Sequence, residues 1–172
     1  MIYFAGEGKE EFKERLRSIE SRWQKKWKEA RIFEADPDPS RPKYFLTVPY
    51  PYTSGPLHIG HGRTYTIGDV QARYMRHKGY NVLWPMAFHI TGTPIEAISA
   101  RLRMGDEEYI NLYRSYLSLY IDDPEKIEEL LRKFQDPKEV MSFFASVISS
   151  DFDALGYSID WRRKFTTGDP EY

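Results

Sequence analysis

The stretch from Lys43 to Trp84 leaves this chain few choices. Lys43-Tyr44-Phe45-Leu46-Thr47-Val48 is apolar, aromatic and β-branched, which predicts a buried strand. Pro49-Tyr50-Pro51-Tyr52-Thr53-Ser54-Gly55-Pro56 follows, and its three prolines exclude both a helix and a central strand. A helix is predicted from about Leu57 to Lys78, with Ile67, Val70 and Tyr74 on its inner face. Arg76, His77 and Lys78 put positive charge in its last turn, where the helix dipole favours it, and Gly79 stops it. Asn81-Val82-Leu83-Trp84 reads as a second short strand. Strand, helix and strand at this length make a right-handed parallel crossover unit, so the fold class is α/β.

The flanks are helical. Phe12, Leu16, Ile19, Trp23 and Trp27 form one apolar stripe on a helix from about Lys9 to Arg31, expected to pack against the main body. Residues 36–42 hold three prolines and read as a connector. After a loop from Pro85 to Gly92, Thr93 is expected to cap a helix, with Pro94 in the first turn and Glu96 completing a capping box. That helix ends near Gly105, and further helices are expected at 107–119, 124–134 and 137–155. Asp123 and Asp136 stand at cap positions, each followed by Pro, and Gly156 stops the last helix. Residues 157–165 read as loop and a short strand.

Bulk properties narrow the function classes. A chain of 172 residues suits one domain with a real core. The net charge of -1 gives no global field for nucleic acid, so an RNA contact has to be local or made by parts outside this chain. With no Cys there is neither a disulfide nor a Cys-based zinc site. No apolar stretch approaches the length of a membrane span, and Met1-Ile2-Tyr3-Phe4-Ala5-Gly6 is too short for a signal peptide. The 13 tyrosines serve either a core or a pocket, since the ring is apolar and the hydroxyl polar.

Two loops, 49–56 and 85–92, leave the carboxyl ends of the two predicted strands, which is where open parallel sheets bind ligands. Leu57-His58-Ile59-Gly60-His61 stands at the helix start. Free N–H groups and the positive dipole end favour a phosphate there. His58 and His61, three apart, fall on one side of the turn and can each donate to a phosphate oxygen. Gly60 between them lets a flat ring such as adenine lie against the backbone. Two other readings stay open on the residues alone. The imidazoles can be structural groups, or His58, His61 and His89 can ligate a metal, although no carboxylate stands at helical ligand spacing from the pair.

The run Pro51-Tyr52-Thr53-Ser54-Gly55-Pro56-Leu57-His58-Ile59-Gly60-His61 resembles the H-I-G-H signature of class I aminoacyl-tRNA synthetases. Arg63-Thr64-Tyr65-Thr66-Ile67-Gly68-Asp69-Val70-Gln71-Ala72-Arg73-Tyr74 is similar to the leucine enzymes in particular, and Gly79-Tyr80-Asn81-Val82-Leu83 continues the match. Pro85-Met86-Ala87-Phe88-His89-Ile90-Thr91-Gly92-Thr93-Pro94-Ile95 resembles their archaeal and eukaryotic cytosolic type; bacterial-type enzymes usually carry Asp where His89 stands. Gly156-Tyr157-Ser158-Ile159-Asp160-Trp161-Arg162-Arg163 and Phe165-Thr166-Thr167 also fit. The resemblance covers roughly residues 19–172, least firmly 104–137.

The resemblance implies the first half of a Rossmann-like parallel-sheet catalytic domain, with an N-terminal helix and a helical C-terminal segment. The expected division is 1–34 as a helical arm, 35–104 as the half-domain with the H-I-G-H motif, and 105–172 as a mostly helical return. It implies ATP with Mg2+, leucine and tRNA(Leu) as substrates, and a cytoplasmic enzyme. His58 and His61 would contact the triphosphate and act in catalysis, with adenine near Gly60. Tyr50, Tyr52 and His89 would line the leucine pocket, and no metal ligand set is implied. At His89 a neutral imidazole can accept from the leucine amine, but without the charge of a carboxylate.

The second signature of the family, K-M-S-K-S, is not found, and editing and anticodon-binding domains have no room in this sequence. The chain therefore resembles an amino-terminal fragment, or a split subunit that needs its remaining domains or a partner chain. The competing readings are another nucleotidyl transferase with a His-x-Gly-His-like helix start, and a non-catalytic remnant.

Overall fold

The computed structural model describes residues 8–171, without the side chain of Lys9. Tyr172, the first seven residues of the expected arm and the Met1–Gly6 stretch lie outside the described residues. In chain order the elements are α1 (Lys9–Glu29), β1 (Lys43–Phe45), α2 (Ile59–His77), β2 (Asn81–Leu83), β3 (Ala87–Phe88), α3 (Thr93–Arg103), α4 (Glu107–Leu117), α5 (Pro124–Lys133), α6 (Pro137–Ala154), a 3-10 turn at Trp161–Arg163, and β4 (Phe165–Thr166).

The crossover unit is present. β1 pairs in parallel with β2, with Lys43 opposite Asn81, Tyr44 opposite Val82 and Phe45 opposite Leu83, and α2 connects them. The expected buried strand is corrected, however. Along β1 and its extension Tyr44, Leu46 and Val48 pack on the core, while Phe45 is 62% exposed. Successive strand residues face opposite sides, and only the even-numbered side is covered.

The inner face of α2 also differs from expectation. Ile67, Val70 and Tyr74 are exposed, and Tyr65, Gly68 and Ala72 are buried instead. The reason is close approach. A Cβ on Gly68 would lie 3.2 Å from both Trp84 and Val48, so small residues mark the face on which helix and sheet meet. Past the sheet, α2 is tied to the returning chain by polar contacts. Asp69 accepts from the Ser158 amide at 2.7 Å, and Arg76 donates to the Ser158 hydroxyl at 2.6 Å and its carbonyl at 2.9 Å. Burial, only partly offset by Asp69 and Asp160, lowers the Arg76 pKa to about 10.

Residues 85–92, read as a loop, contain β3, which pairs in parallel with β4 (Ala87 with Phe165, Phe88 with Thr166). Two-residue strands are too short to show periodicity in sequence. Thr93 does not cap α3. Gly92 is the cap residue at φ 107°, no side-chain cap bond forms, and the expected capping box with Glu96 is absent. The left-handed turn at Gly92 delivers the chain to the helix without help from a hydroxyl. Asp123 and Asp136 do cap α5 and α6, Asp123 accepting from the Glu125 and Lys126 amides and Asp136 from the Lys138 amide.

The helical segment packs on the sheet through α6. Val140 and Phe144 enter a core with Leu102, Leu117 and Phe134, whereas Ile148 and Phe152 enter the one built on Trp84 and Phe88. One stripe at four-residue spacing thus serves both cores. The α1 stripe is another correction. Phe12, Leu16, Ile19 and Trp23 remain 37–44% exposed, and docking is confined to the end of the helix. There Gln24 donates to the Ala154 carbonyl (2.9 Å), Lys28 pairs with Asp153 (2.8 Å), and Arg73 lies 5.2 Å from the Trp27 ring.

Candidate active site

The first turn of α2 is closed by histidine, which is not among the usual capping residues. His58 is the cap residue in extended backbone, and the helix begins at Ile59, two residues later than the expected start at Leu57. Its Nδ1 accepts from the Gly60 amide at 3.0 Å, and Nδ1 of His61 accepts from the His58 amide at 3.2 Å. This is a capping box made of two imidazoles. An Nδ1 that accepts carries no proton, so each neutral ring holds its proton on Nε2. The helix start therefore offers two Nε2–H donors, with ring centroids 4.0 Å apart, while the amides of His58, Gly60, His61 and Gly62 are taken up within the cap.

Gly60 is required for this arrangement. A Cβ there would lie 2.8 Å from Cε1 of His58 and 3.0 Å from its Nδ1. The room beside Gly60, expected for a flat ligand ring, is shared with the His58 ring itself. Burial and, after it, the nearby His58 lower the pKa of His61 below its usual value. His61 is thus a neutral donor near pH 7.

His58, His61, Tyr50 and Tyr52 line one cleft of about 680 Å³. Gly60 and His89 are not among its lining residues, and His89 meets the cleft only through Tyr52. The His89 ring packs 4.2 Å from Tyr52, the two residues are joined in a parallel bridge, and the His89 amide donates to the Pro51 carbonyl at 2.9 Å. Thr167, just past β4, meets Nδ1 of His89 at 3.0 Å and accepts from the Ile90 amide at 3.1 Å. Tyr50 is braced edge-on by Phe165 at 5.4 Å. The two loops thus converge, and β4 holds both. Among the described residues, no group of three His, Asp, Glu or Cys side chains is arranged to hold a metal ion.

Sequence reasoning missed the opposite wall. Tyr109, Leu112, Tyr113 and Tyr116 of α4 line the cleft, with Ala97 and Ile98 of α3. The Tyr113 hydroxyl donates to the Ser54 carbonyl at 2.5 Å, and a Cβ on Gly55 would lie 3.2 Å from the Tyr116 ring. The spacing of Tyr109, Tyr113 and Tyr116 is a helical stripe, which marks an aromatic face of α4 but not the cleft it walls. No carboxylate and no Lys or Arg lines the cleft, so its ionisable cations are the two histidines.

A helix start bearing two histidine donors thus stands beside the parallel crossover unit of an α/β fold. The family described as tRNA synthetases class I (I, L, M and V) matches residues 22–172. The chain belongs to that family. Its relatives include the leucine--tRNA ligase of Staphylothermus marinus, 62% identical over 95% of this chain, and that of Thermoplasma volcanium, 52% identical over 90%. The chain spans 17% of the length of these two relatives. Among solved structures, the ternary complex of Agrobacterium radiobacter K84 agnB2 LeuRS-tRNA-LeuAMS superposes with a TM-score of 0.67 at 30% identity, over 91% of this chain and 16% of that one. The likeness extends the Rossmann-like α/β reading to the fold as a whole.

Proposed function

We propose that this chain is the amino-terminal part of a leucine--tRNA ligase and forms the ATP- and leucine-binding half of its adenylate-forming site. The observation that carries this reading is the imidazole capping box, whose two rings line one cleft and keep their Nε2–H groups as donors at the start of α2. In the proposed reaction the leucine carboxylate attacks the α-phosphate of ATP and pyrophosphate leaves. His58 and His61 donate to the triphosphate as its charge shifts, and the helix dipole adds to them. Adenine is assigned to the neighbourhood of Gly60.

Tyr50 and Tyr52 offer ring faces to the leucine side chain. His89 is assigned to the amine, accepting through a ring nitrogen. Its Nδ1 meets the Thr167 hydroxyl, and in the tautomer that donates to that hydroxyl Nε2 is left as the acceptor. Mg2+ would arrive with the triphosphate. The cleft offers it no carboxylate, and we assign it no protein ligand here.

Transfer of leucine to tRNA(Leu) in the cytoplasm belongs to the same reading and requires the rest of the enzyme. The exposed Ile67, Val70 and Tyr74 on α2 are assigned to contacts with those remaining domains. Residues 1–34, 35–104 and 105–172 are proposed as arm, half-domain and helical return.

Calorimetric titration with a non-hydrolysable leucyl-adenylate analogue, with the isoleucyl and valyl analogues as comparisons, tests the assignment. Preference for the leucyl compound supports it. Equal binding of the three, or none, overturns it.

A further inference from the structure

We propose that the hydroxyls of Tyr65, Tyr113 and Tyr157 are positioning groups that hold the loop and helix start, residues 49–62, in binding geometry. The proposal deepens the nucleotide reading of the cleft and rests on it. Residues 49–57 need such help. Pro49, Pro51 and Pro56 have no N–H to give. Apart from the Tyr52–His89 bridge, no backbone–backbone hydrogen bond joins residues 49–57 to the rest of the described chain. The loop that carries Tyr50 and Tyr52 is not held by a sheet ladder.

Three tyrosines from three different elements supply the missing restraints. Tyr65, on α2, donates to the Pro49 carbonyl at 2.9 Å, where the loop begins. Tyr113, on α4, donates to the Ser54 carbonyl at the turn before the motif. Tyr157, after α6, donates to the Gly62 carbonyl at 3.1 Å, in the first turn beyond His61, and meets the Thr66 hydroxyl at 2.9 Å. All three side chains are buried, at 2%, 3% and 6% exposure, so their directions are fixed by packing. Burial raises the pKa of Tyr65, to about 12, and that of Tyr113, which keeps both as donors.

The three carbonyls bracket the site. Restraint of this kind acts on the fraction of molecules in which the two imidazoles and the two loop tyrosines face one cleft. Apparent ligand affinity scales with that fraction.

The test replaces each tyrosine by Phe, which removes one oxygen and keeps the ring. Tyr120→Phe is the comparison, because its hydroxyl bonds Asp151, away from the cleft. Three quantities are read on the whole chain: ATP affinity by calorimetry, the ring-nitrogen tautomers of His58 and His61 by two-bond 1H–15N spectra, and the thermal midpoint. We expect Tyr65→Phe, Tyr113→Phe and Tyr157→Phe each to bind ATP about threefold to tenfold more weakly, with the Nε2–H pattern giving way to mixed tautomers. Tyr120→Phe should change neither. A lower thermal midpoint with parental affinity and parental tautomers in all three overturns the proposal, since packing alone would do that. If one variant fails to fold, the other two decide. If the parent chain binds no ATP, the nucleotide reading fails, and the tautomer pattern alone decides whether the tyrosines position the histidines.

Discussion

The backbone amide of His58 donates to Nδ1 of His61 over 3.2 Å, and Nδ1 of His58 in turn accepts from the Gly60 amide at 3.0 Å. Structure and chemistry meet in these two bonds. The atoms that close the helix also decide which nitrogens are left to donate into the cleft.

Removing either ring should therefore cost both stability and ligand. His58→Ala and His61→Ala each lose half of the cap, which is worth about 1 kcal/mol, or about 2–4 °C in thermal midpoint. ATP affinity should fall about tenfold or more in each, because the lost bond is to a charged phosphate. Thermal melts and calorimetry on the same samples check both effects.

The pH dependence has a definite sign. The His61 pKa is lowered from 6.5 in the folded chain, by burial first and by His58 second. Between the folded value and 6.5 the unfolded chain binds more protons, so this group's contribution to stability falls as pH drops through that window. Above the window the contribution is constant. A bound triphosphate favours the protonated ring and should raise the His61 midpoint. NMR titration of the ring, with and without ATP, measures both shifts, and His61→Ala should flatten the stability profile.

Two glycines two residues apart should respond in opposite ways. Gly60→Ala places a Cβ 2.8 Å from the His58 ring, so the ring must leave its amide. We expect the helix to persist in circular dichroism while ATP binding is lost. At Gly62 the nearest atom to an added Cβ is Ile59 Cδ1 at 4.0 Å, and Gly62→Ala should stabilise the chain by about 0.5–1 kcal/mol through helix propensity.

The true inner face of α2 can be tested by contrast. Gly68→Leu drives a side chain into Trp84 and Val48 and should cost about 1–3 kcal/mol. Ile67→Ser, at a 63% exposed position, should change stability by no more than about 0.5 kcal/mol. Denaturant midpoints with unchanged slopes would report both.

These contrasts show what sequence can carry. Local signals were readable because their physics is local. Gly79 ends α2 at φ 89°, and Asp123 and Asp136 accept from the amides of the helices they precede. Apolar periodicity misled where the fold departs from the usual amphipathic helix. α2 meets the sheet through Gly68 and Ala72, and its large residues face outward. The motif residues were visible at once, but their tautomers depend on backbone amides and so on coordinates. The wall contributed by α4 and the Thr167 contact to His89 join residues far apart in the chain, and no local pattern encodes that closeness.

The most direct test of the central claim is a titration of ATP into the chain with 15N-labelled histidines, observed at the Nε2–H resonances. The account predicts saturable shifts at both His58 and His61, with little change at His77. Binding that leaves these two rings untouched, or no binding at all, would contradict it.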